Sequence, residues 1–420
     1  MGAKGAFAVW GIRDYRFFTA ARFFLTFSIQ MQSVVVGWQV YEYTKDAFSL
    51  GLIGLAEAIP FLTVALFAGH VADSFPRRKV IMITASAYLL AAFALFILSY
   101  RFSDVFLWLG VIPIYGIIFF TGIARGFLFP SVHAFIAQIV PRHLYANSST
   151  WNSTVWHIAA VTGPATGGLI YGFFGINAAY AAVVIGMLIV MTFLFTVKGR
   201  PLPDSSRKQG LMTSLKEGLR FVFRNQVILG AMSLDMFAIL FGGAVILLPV
   251  FAAEVLMVGP KGLGFLRAAP AFGAVVMSLI LAWRPPLRYA GKTLFIGICG
   301  FGLSIVLFAI SKDFFLSLLL LVMSGMFDNM SVVVRATTLQ LLTPDEMRGR
   351  VSSVNSIFVG SSNEIGSFES GLAARLLGLI PSVIFGGSMT LFIAGITAGL
   401  APRLRKLNLL PFIHEEKKSA

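Results

Sequence analysis

Ten ionisable side chains lie inside long apolar stretches of this sequence, where charge is unusual. A charge in hydrocarbon is costly, so such residues usually face a polar cavity or one another and mark substrate paths or proton relays. The first half of the chain holds two of the bases and one acid, and the second half holds three bases and four acids. The equal totals predict pairing, with either one pair that joins the halves or one protonated acid. The residues are Arg22, Arg125, Arg267, Arg335 and Arg375, with Glu57, Asp235, Asp328, Glu364 and Glu369.

Three of the acids are candidates for proton coupling: Asp235, Asp328 and Glu369. Asp328 and Arg335 are seven residues apart, so they share one helix face at roughly 10 Å along the axis. Asp235 has no basic residue within two turns on its own helix. We therefore predict that Asp235 carries the proton and that Asp328 and Arg335 form a gate or a substrate contact. The alternative is that both aspartates pair across helices and only hold the bundle together.

Polar residues within the same stretches predict a substrate cavity. Small polar residues also serve as packing contacts between membrane helices, which is the alternative for those around Asn152. The 41 phenylalanines would suit a planar aromatic substrate. The cavity candidates are Arg22, Gln30, Arg125, Asn152, Trp156, Arg335, Asn355 and Ser362.

These residues must be positioned by membrane-spanning helices. The chain has 420 residues, of which 57% are hydrophobic and 12% charged, a composition typical of a polytopic membrane protein. Runs of about 20 apolar residues predict helices rather than barrel strands. We predict an all-α fold with twelve transmembrane helices, at 15–43, 50–73, 79–99, 105–138, 145–173, 177–198, 222–255, 262–284, 289–311, 314–342, 348–378 and 382–402.

The placement of basic residues predicts the orientation of these spans. With the N-terminus inside, 24 loop bases lie on the cytoplasmic side and 4 on the outer side, so both termini are predicted to be cytoplasmic. The net charge of +15 is thus a topology signal rather than a nucleic-acid-binding surface. The longest polar link divides the chain into a bundle at 1–198, a linker at 199–221, a second bundle at 222–402 and a tail at 403–420. Residues 214–224 within the link predict an amphipathic helix whose bases would favour anionic headgroups.

An internal repeat supports this division. Shifting the chain by 203 residues places Gly122 on Gly325 and Gly163 on Gly366. An even number of spans lies between the copies, so the two six-helix bundles are parallel repeats. Transporters built in this way bind substrate between the two halves near the membrane midplane.

The turn between the second and third spans carries Gly69, Asp73, Arg77, Arg78 and Lys79. This spacing resembles the signature turn of the major facilitator superfamily. Other stretches, such as 264–270 and 343–351, resemble its enterobactin-exporter-like branch. The resemblance implies alternating access and a conformational switch, in which the aspartate of the turn meets the start of the eleventh span in the outward-facing state. A carboxylate there would be stabilised by a helix N-terminus.

The absence of other motifs argues against several classes of function. There is no nucleotide-binding P-loop, no His/Cys cluster with metal-ligand spacing and no Gly-x-Ser-x-Gly elbow. We therefore expect no cofactor and no catalysis. The predicted function is export of an amphipathic small molecule, such as a siderophore or drug, by a monomer in the bacterial cytoplasmic membrane, driven by the proton gradient. The alternatives are a lipid or lysophospholipid flippase of the same fold and a non-transporting receptor or membrane enzyme.

Overall fold

The computed structural model describes residues 7–100, 102–201, 211–283 and 288–410, and within these ranges the regular structure is helical throughout. Short 3-10 turns precede the first helix and follow α5. The helices are α1 (Arg13–Thr44), α2 (Ala47–Ser74), α3 (Arg77–Tyr100), α4 (Phe102–Leu109), α5 (Ile112–Ile139), α6 (Tyr145–Thr196), α7 (Leu211–Arg224), α8 (Gln226–Gly242), α9 (Gly259–Trp283), α10 (Ala290–Ile310), α11 (Phe314–Leu342), α12 (Asp345–Leu377), α13 (Leu379–Leu400) and α14 (Pro402–Arg405).

The predicted twelve spans correspond to these helices. Among the described residues, nine continuous segments are long and apolar enough to cross a membrane. One of them, α6, contains two spans, because Gly175 adopts φ 84° and interrupts the helix. The helices α1 and α12 have 32 and 33 residues. They are long enough to span a membrane, but they carry more charged residues than the nine segments.

Each of two predicted spans was interpreted from the sequence as one continuous helix but is divided in the structure. The stretch 105–138 divides at Gly110, which has φ 58°, into α4 and α5. The stretch 222–255 changes at Asn225 from α7 to α8, and α8 ends at Gly242. A 3-10 turn, a short helical piece and a π turn then follow, over Ala244–Val255. Pro249 lies in this irregular segment, and proline cannot donate the backbone hydrogen bond that would continue a regular helix.

The chain forms two compact units. Unit 1 comprises Met1–Arg207 and Phe251–Ala268, and unit 2 comprises Lys208–Val250 and Ala269–Ala420. The main division therefore lies within the predicted linker, although residues 202–210 of that linker and 411–420 of the tail are outside the described ranges. The sequence did not predict that the segment 251–268 would associate with the first half of the chain.

Each unit has its own apolar core. In unit 1, α1 packs along α6, and α3 packs on α5 and α6. Their shared cluster includes the edge-to-face pair Phe18 and Phe135, with ring centroids 4.9 Å apart. In unit 2, α10 packs on α11 and α13, and α8 packs on α12 and α13. The core there includes Leu234 and Leu294, both almost completely buried.

The repeated glycines occupy equivalent places in the two units. A Cβ added at Gly163 of α6 would lie 2.7 Å from the carbonyl oxygen of Phe27 in α1. A Cβ added at Gly366 of α12 would lie 2.7 Å from the carbonyl oxygen of Leu240 in α8. In both units a glycine of the fifth span therefore allows the backbone of the first span to approach closely, as small residues do between membrane helices.

Candidate functional site

A buried ion pair lies in the interior of unit 2. Arg335 on α11 places Nη1 2.6 Å from Oδ2 of Asp235 on α8, and the side chains are only 6% and 1% exposed. The guanidinium N–H is not directed along this line, so the contact is an ion pair rather than a linear hydrogen bond. Ser331 donates a long hydrogen bond of 3.5 Å to the other carboxylate oxygen of Asp235.

The residues of the predicted gate, Asp328 and Arg335, do not form an ion pair with each other among the described contacts. Both lie on α11, but Arg335 pairs with Asp235 on a neighbouring helix instead. The argument for Asp235 as the proton carrier rested on the lack of a basic residue nearby on its own helix, whereas its basic partner lies on a neighbouring helix. The alternative, in which both aspartates pair across helices, describes Asp235 but not Asp328 among the described residues, and the transport role of each acid stays a prediction.

Asp328 and Glu369 are the two coupling candidates that remain without a partner. Neither carboxylate forms a hydrogen bond or ion pair within the part of the chain that the structure describes. Both side chains are half-buried, and are thus more accessible than Asp235. Neither carboxylate would have to break an ion pair with a described residue in order to bind or release a proton.

Two cavity candidates of unit 2 have different surroundings. Arg335 donates a weak hydrogen bond of 3.4 Å to Oδ1 of Asn355 on α12, so Asn355 extends the ion pair. Ser362 is buried and donates to the carbonyl oxygen of Val359 within its own helix. The structure thus brings Asn355, but not Ser362, to the Asp235–Arg335 pair.

Unit 1 contains a cation that is held by a polar side chain of a neighbouring helix. Arg22 on α1 donates a 2.8 Å hydrogen bond to Oδ1 of Asn152 on α6. Asn152 is oriented in turn by Ser148, to which its amide donates at 3.2 Å, and Tyr15 donates to the Ser148 carbonyl at 3.2 Å. Arg22 forms no ion pair with the described residues. The sequence did not reveal the supporting roles of Tyr15 and Ser148.

The other cavity candidates of unit 1 differ from one another in their partners and in their exposure. Arg125 on α5 forms an ion pair with Glu57 on α2 at 2.7 Å, with side chains 38% and 26% exposed. Trp156 is 45% exposed and meets the His157 ring edge-to-face at 5.1 Å. Gln30 lies beside the close contact of α1 with α6 at Gly163. Trp156 is thus the most accessible of these residues.

The basic residues of the signature turn have a structural role that the sequence did not indicate. Arg77 donates to the carbonyl oxygen of Ala134 at 3.1 Å, near the end of α5. Arg78 donates to the carbonyl oxygens of Leu194 and Phe195, at 3.1 to 3.3 Å, in the last turn of α6. The last four carbonyl groups of a helix lack partners within the helix, so Arg78 provides donors to two of them, and its charge is stabilised by the negative end of the helix dipole.

The structure gives less information on the remaining residues of the signature turn. Lys79 is exposed at the start of α3. Gly69 and Asp73 lie in α2, but their side chains are outside the described set, so the predicted contact of Asp73 with the region of Arg348 and Gly349 stays a prediction.

A seam within unit 1 joins the segment 251–268 to α1 and α6. Gly168 of α6 packs on Gly264 of α9: a Cβ on Gly168 would be 2.7 Å from the Gly264 Cα. Arg267 donates to the hydroxyl of Ser33 at 2.9 Å. Tyr41 also donates a short hydrogen bond to Glu254. The hydrogen bond between Tyr41 and Glu254 joins residues 213 positions apart, and no local pattern in the sequence indicates it.

Comparison with known proteins identifies the family. The model of the transmembrane secretion effector family, a major facilitator family, matches residues 4–416. The chain belongs to this family. It is 26% identical over 391 residues to the multidrug efflux pump Tap of Mycobacterium tuberculosis, covering 90% of this chain and 91% of Tap. It is 22% identical over 391 residues to the enterobactin exporter EntS of Escherichia coli O81, covering 93% of this chain and 92% of EntS.

Solved structures confirm the fold. A D-xylose–proton symporter superposes with a TM-score of 0.74 at 15% identity, covering 94% of this chain and 99% of the symporter. A POT family transporter bound to 5-aminolevulinic acid also gives 0.74, at 13% identity, covering 93% of this chain and 96% of that transporter. The chain is therefore a multi-pass membrane transporter of the major facilitator type, and its curated relatives are transporters rather than enzymes.

Proposed function

We propose that this protein exports an amphipathic organic molecule from the cytoplasm in exchange for protons. The observation that carries this proposal concerns α11, where Arg335, buried in its pair with Asp235 of α8, lies two turns from the half-buried Asp328, which has no ionic partner among the described residues. A buried ion pair and a separate accessible carboxylate can divide two tasks, conformational stability and proton exchange. We therefore assign the exchanging proton to Asp328, with Glu369 as a second carrier.

Export is supported by the relatives, since one is named a multidrug efflux pump and another an enterobactin exporter. The two relatives are named for different substrates, and the chain is only 26% and 22% identical to them. The proposal therefore extends to the class of amphipathic organic molecules and not to one compound. With the predicted orientation, the linker and both termini lie on the cytoplasmic side of the bacterial inner membrane.

Arg22 supplies a binding group for such a molecule. Its guanidinium is held by Asn152 and has no acidic partner among the described residues, so it can bind a carboxylate or phenolate of the substrate. Guanidinium–carboxylate contacts are charge-assisted and can be bidentate, which makes them strong and directional. The exposed Trp156, one turn from Asn152 on α6, adds an aromatic surface.

Alternating access requires contacts that exist in one state and break in the other. The seam of unit 1 provides them on the side away from the linker, through Gly168–Gly264, Arg267–Ser33 and Tyr41–Glu254. We propose that these contacts separate when substrate is released. Asp73 of the signature turn is proposed to act at the opposite membrane face, so that Asp73→Asn folds but transports poorly.

The proposal is tested with purified protein in liposomes that contain a trapped pH-sensitive dye. With an imposed pH gradient, adding enterobactin or members of a drug panel should cause proton movement with at least one compound. Asp328→Asn should abolish this movement while leaving binding of the same compound intact. Transport that proceeds unchanged without a pH gradient, or in Asp328→Asn, would refute proton exchange at this residue.

A further inference from the structure

A charged groove lies at the linker end of unit 2, away from the ion pair described above. It has a volume of about 430 Å³ and lies where α7 meets α8 and where α13 passes into α14. Its lining residues are Phe221, Arg224, Asn225, Gln226, Val227 and Arg403. The transport proposal uses none of these residues.

The groove is built from elements that fix one another. The side chain of Asn225 accepts hydrogen bonds from the backbone N–H groups of Val227 and Ile228 and so caps α8. Gln226 donates at 3.1 Å to the carbonyl oxygen of Leu400, which ties the start of α8 to the end of α13. The walls of the groove are therefore helix ends that are held in place by hydrogen bonds.

Two guanidinium groups line this groove and neither is neutralised. Arg224 and Arg403 are exposed, and no described residue forms a hydrogen bond or ion pair with either side chain. Nearby, Arg405 and Lys406 add further exposed positive charge. The nearest described acid on α7, Glu217, is already paired with Arg350 at 2.6 Å. The groove thus has an excess of positive charge that an anion would compensate.

The groove also has an apolar border. Phe223 on α7 is 62% exposed and Leu400 at the end of α13 is 73% exposed. Phe223 precedes the lining residue Arg224 in the chain, and the carbonyl oxygen of Leu400 accepts a hydrogen bond from the lining residue Gln226. A ligand that satisfies both features has a phosphate for the arginines and acyl chains for the apolar side chains. Basic pockets between helix ends at a membrane surface bind lipid headgroups for this reason.

We propose that this groove binds the headgroup of an anionic glycerophospholipid, with its phosphate diester contacted by Arg224 and Arg403. Through α7, the bound lipid would also stabilise the linker. The helix α7 already docks on α12, because a Cβ on Gly218 would lie 2.9 Å from the Arg350 carbonyl oxygen and because Glu217 pairs with Arg350. This lipid site does not depend on the identity of the exported molecule.

The test measures thermal unfolding of the full-length protein in detergent micelles with added phosphatidylglycerol, phosphatidylcholine or inorganic phosphate. Phosphatidylglycerol should raise the unfolding temperature in a saturable way, whereas the other two should not. In Arg224→Gln/Arg403→Gln the apparent Kd for phosphatidylglycerol should rise about 30-fold, or about fivefold for each base removed. The matched control is Arg405→Gln/Lys406→Gln, which removes equal charge from the same end and should change the Kd little.

Two outcomes would overturn the proposal. Equal weakening in the groove variant and the control would mean that diffuse surface charge attracts the lipid. An equal effect of inorganic phosphate would mean that the groove takes a soluble anion. If the double variant does not fold, Arg403→Gln alone and native mass spectrometry of the wild-type protein decide the matter. Retention of phosphatidylglycerol no better than of phosphatidylcholine would then count against the site.

Discussion

Replacing Asp235 or Asp328 by asparagine should separate the structural from the proton-carrying acid. The side chain of Asp235 is 1% exposed, and that of Arg335, its ionic partner among the described residues, is 6% exposed. Removing one member of a buried ion pair leaves the other charge uncompensated and costs about 3–5 kcal/mol. Asparagine keeps the shape of the side chain and can accept a hydrogen bond from Arg335, so Asp235→Asn should fall at the lower end of that range.

Asp328→Asn removes a carboxylate with which no described residue forms a hydrogen bond or ion pair. Its effect on the free energy of unfolding should therefore stay within about 0.5 kcal/mol, as for substitutions away from networks. Its effect on function should be the larger one, because an amide cannot take up and release a proton. Gradient-driven accumulation in liposomes should be lost, while ligand binding persists.

The assay combines thermal unfolding in micelles with transport in liposomes for both variants. Adding Arg335→Gln to Asp235→Asn should recover much of the lost stability, since both buried charges are then absent. The reasoning fails if Asp235→Asn is as stable as the wild-type protein yet cannot couple transport to protons. That result would restore the sequence-based assignment of Asp235 as the carrier.

Three further predictions concern other parts of the chain. Arg78→Gln should lower the free energy of unfolding by about 1 kcal/mol or more, because it deprives two helix-end carbonyls of a charged donor. Lys79→Gln should not, and equal unfolding temperatures of the two variants would contradict this role. Gly264→Leu should block transport by preventing the close contact with α6. The control is Gly395→Leu, which should leave transport unchanged because there is open space around its Cβ. Full activity of Gly264→Leu would argue against a role of the seam in transport. Ser205→Cys should react with a membrane-impermeant thiol reagent only in inverted vesicles, and labelling of intact cells would reverse the orientation.

The sequence predicted the spans and the two halves because both depend on patterns that recur along the chain. Apolar runs long enough to cross the membrane appear directly in the composition, and the 203-residue repeat places glycines at equivalent helix contacts. The interruption after Gly242 was not predicted, because the surrounding residues are as apolar as those of a continuous helix. Pro249 was the available signal, but prolines also occur inside α2, α5 and α9 without ending those helices.

The partners of the charged residues were harder to predict than their positions. Helix periodicity gives the face that a residue shares with others on the same helix, so it paired Asp328 with Arg335. It gives no information on how neighbouring helices are rotated, and this rotation brings Asp235 to Arg335 from a hundred positions away. The same limit applies to Tyr41 and Glu254, which meet across 213 positions.

The distribution of unpaired charge gives the transport proposal its chemical basis. Within unit 1, Glu57 neutralises Arg125, but Arg22 and Arg267 form no ion pair with the residues described there. Within unit 2, Asp235 neutralises Arg335, whereas Asp328 and Glu369 form none among its described residues. Uncompensated charge in a membrane protein is costly unless water, a ligand or a proton satisfies it. The cations would be satisfied by an anionic group of the substrate and the carboxylates by protons, so the two kinds of residue suit the two species that an antiporter exchanges.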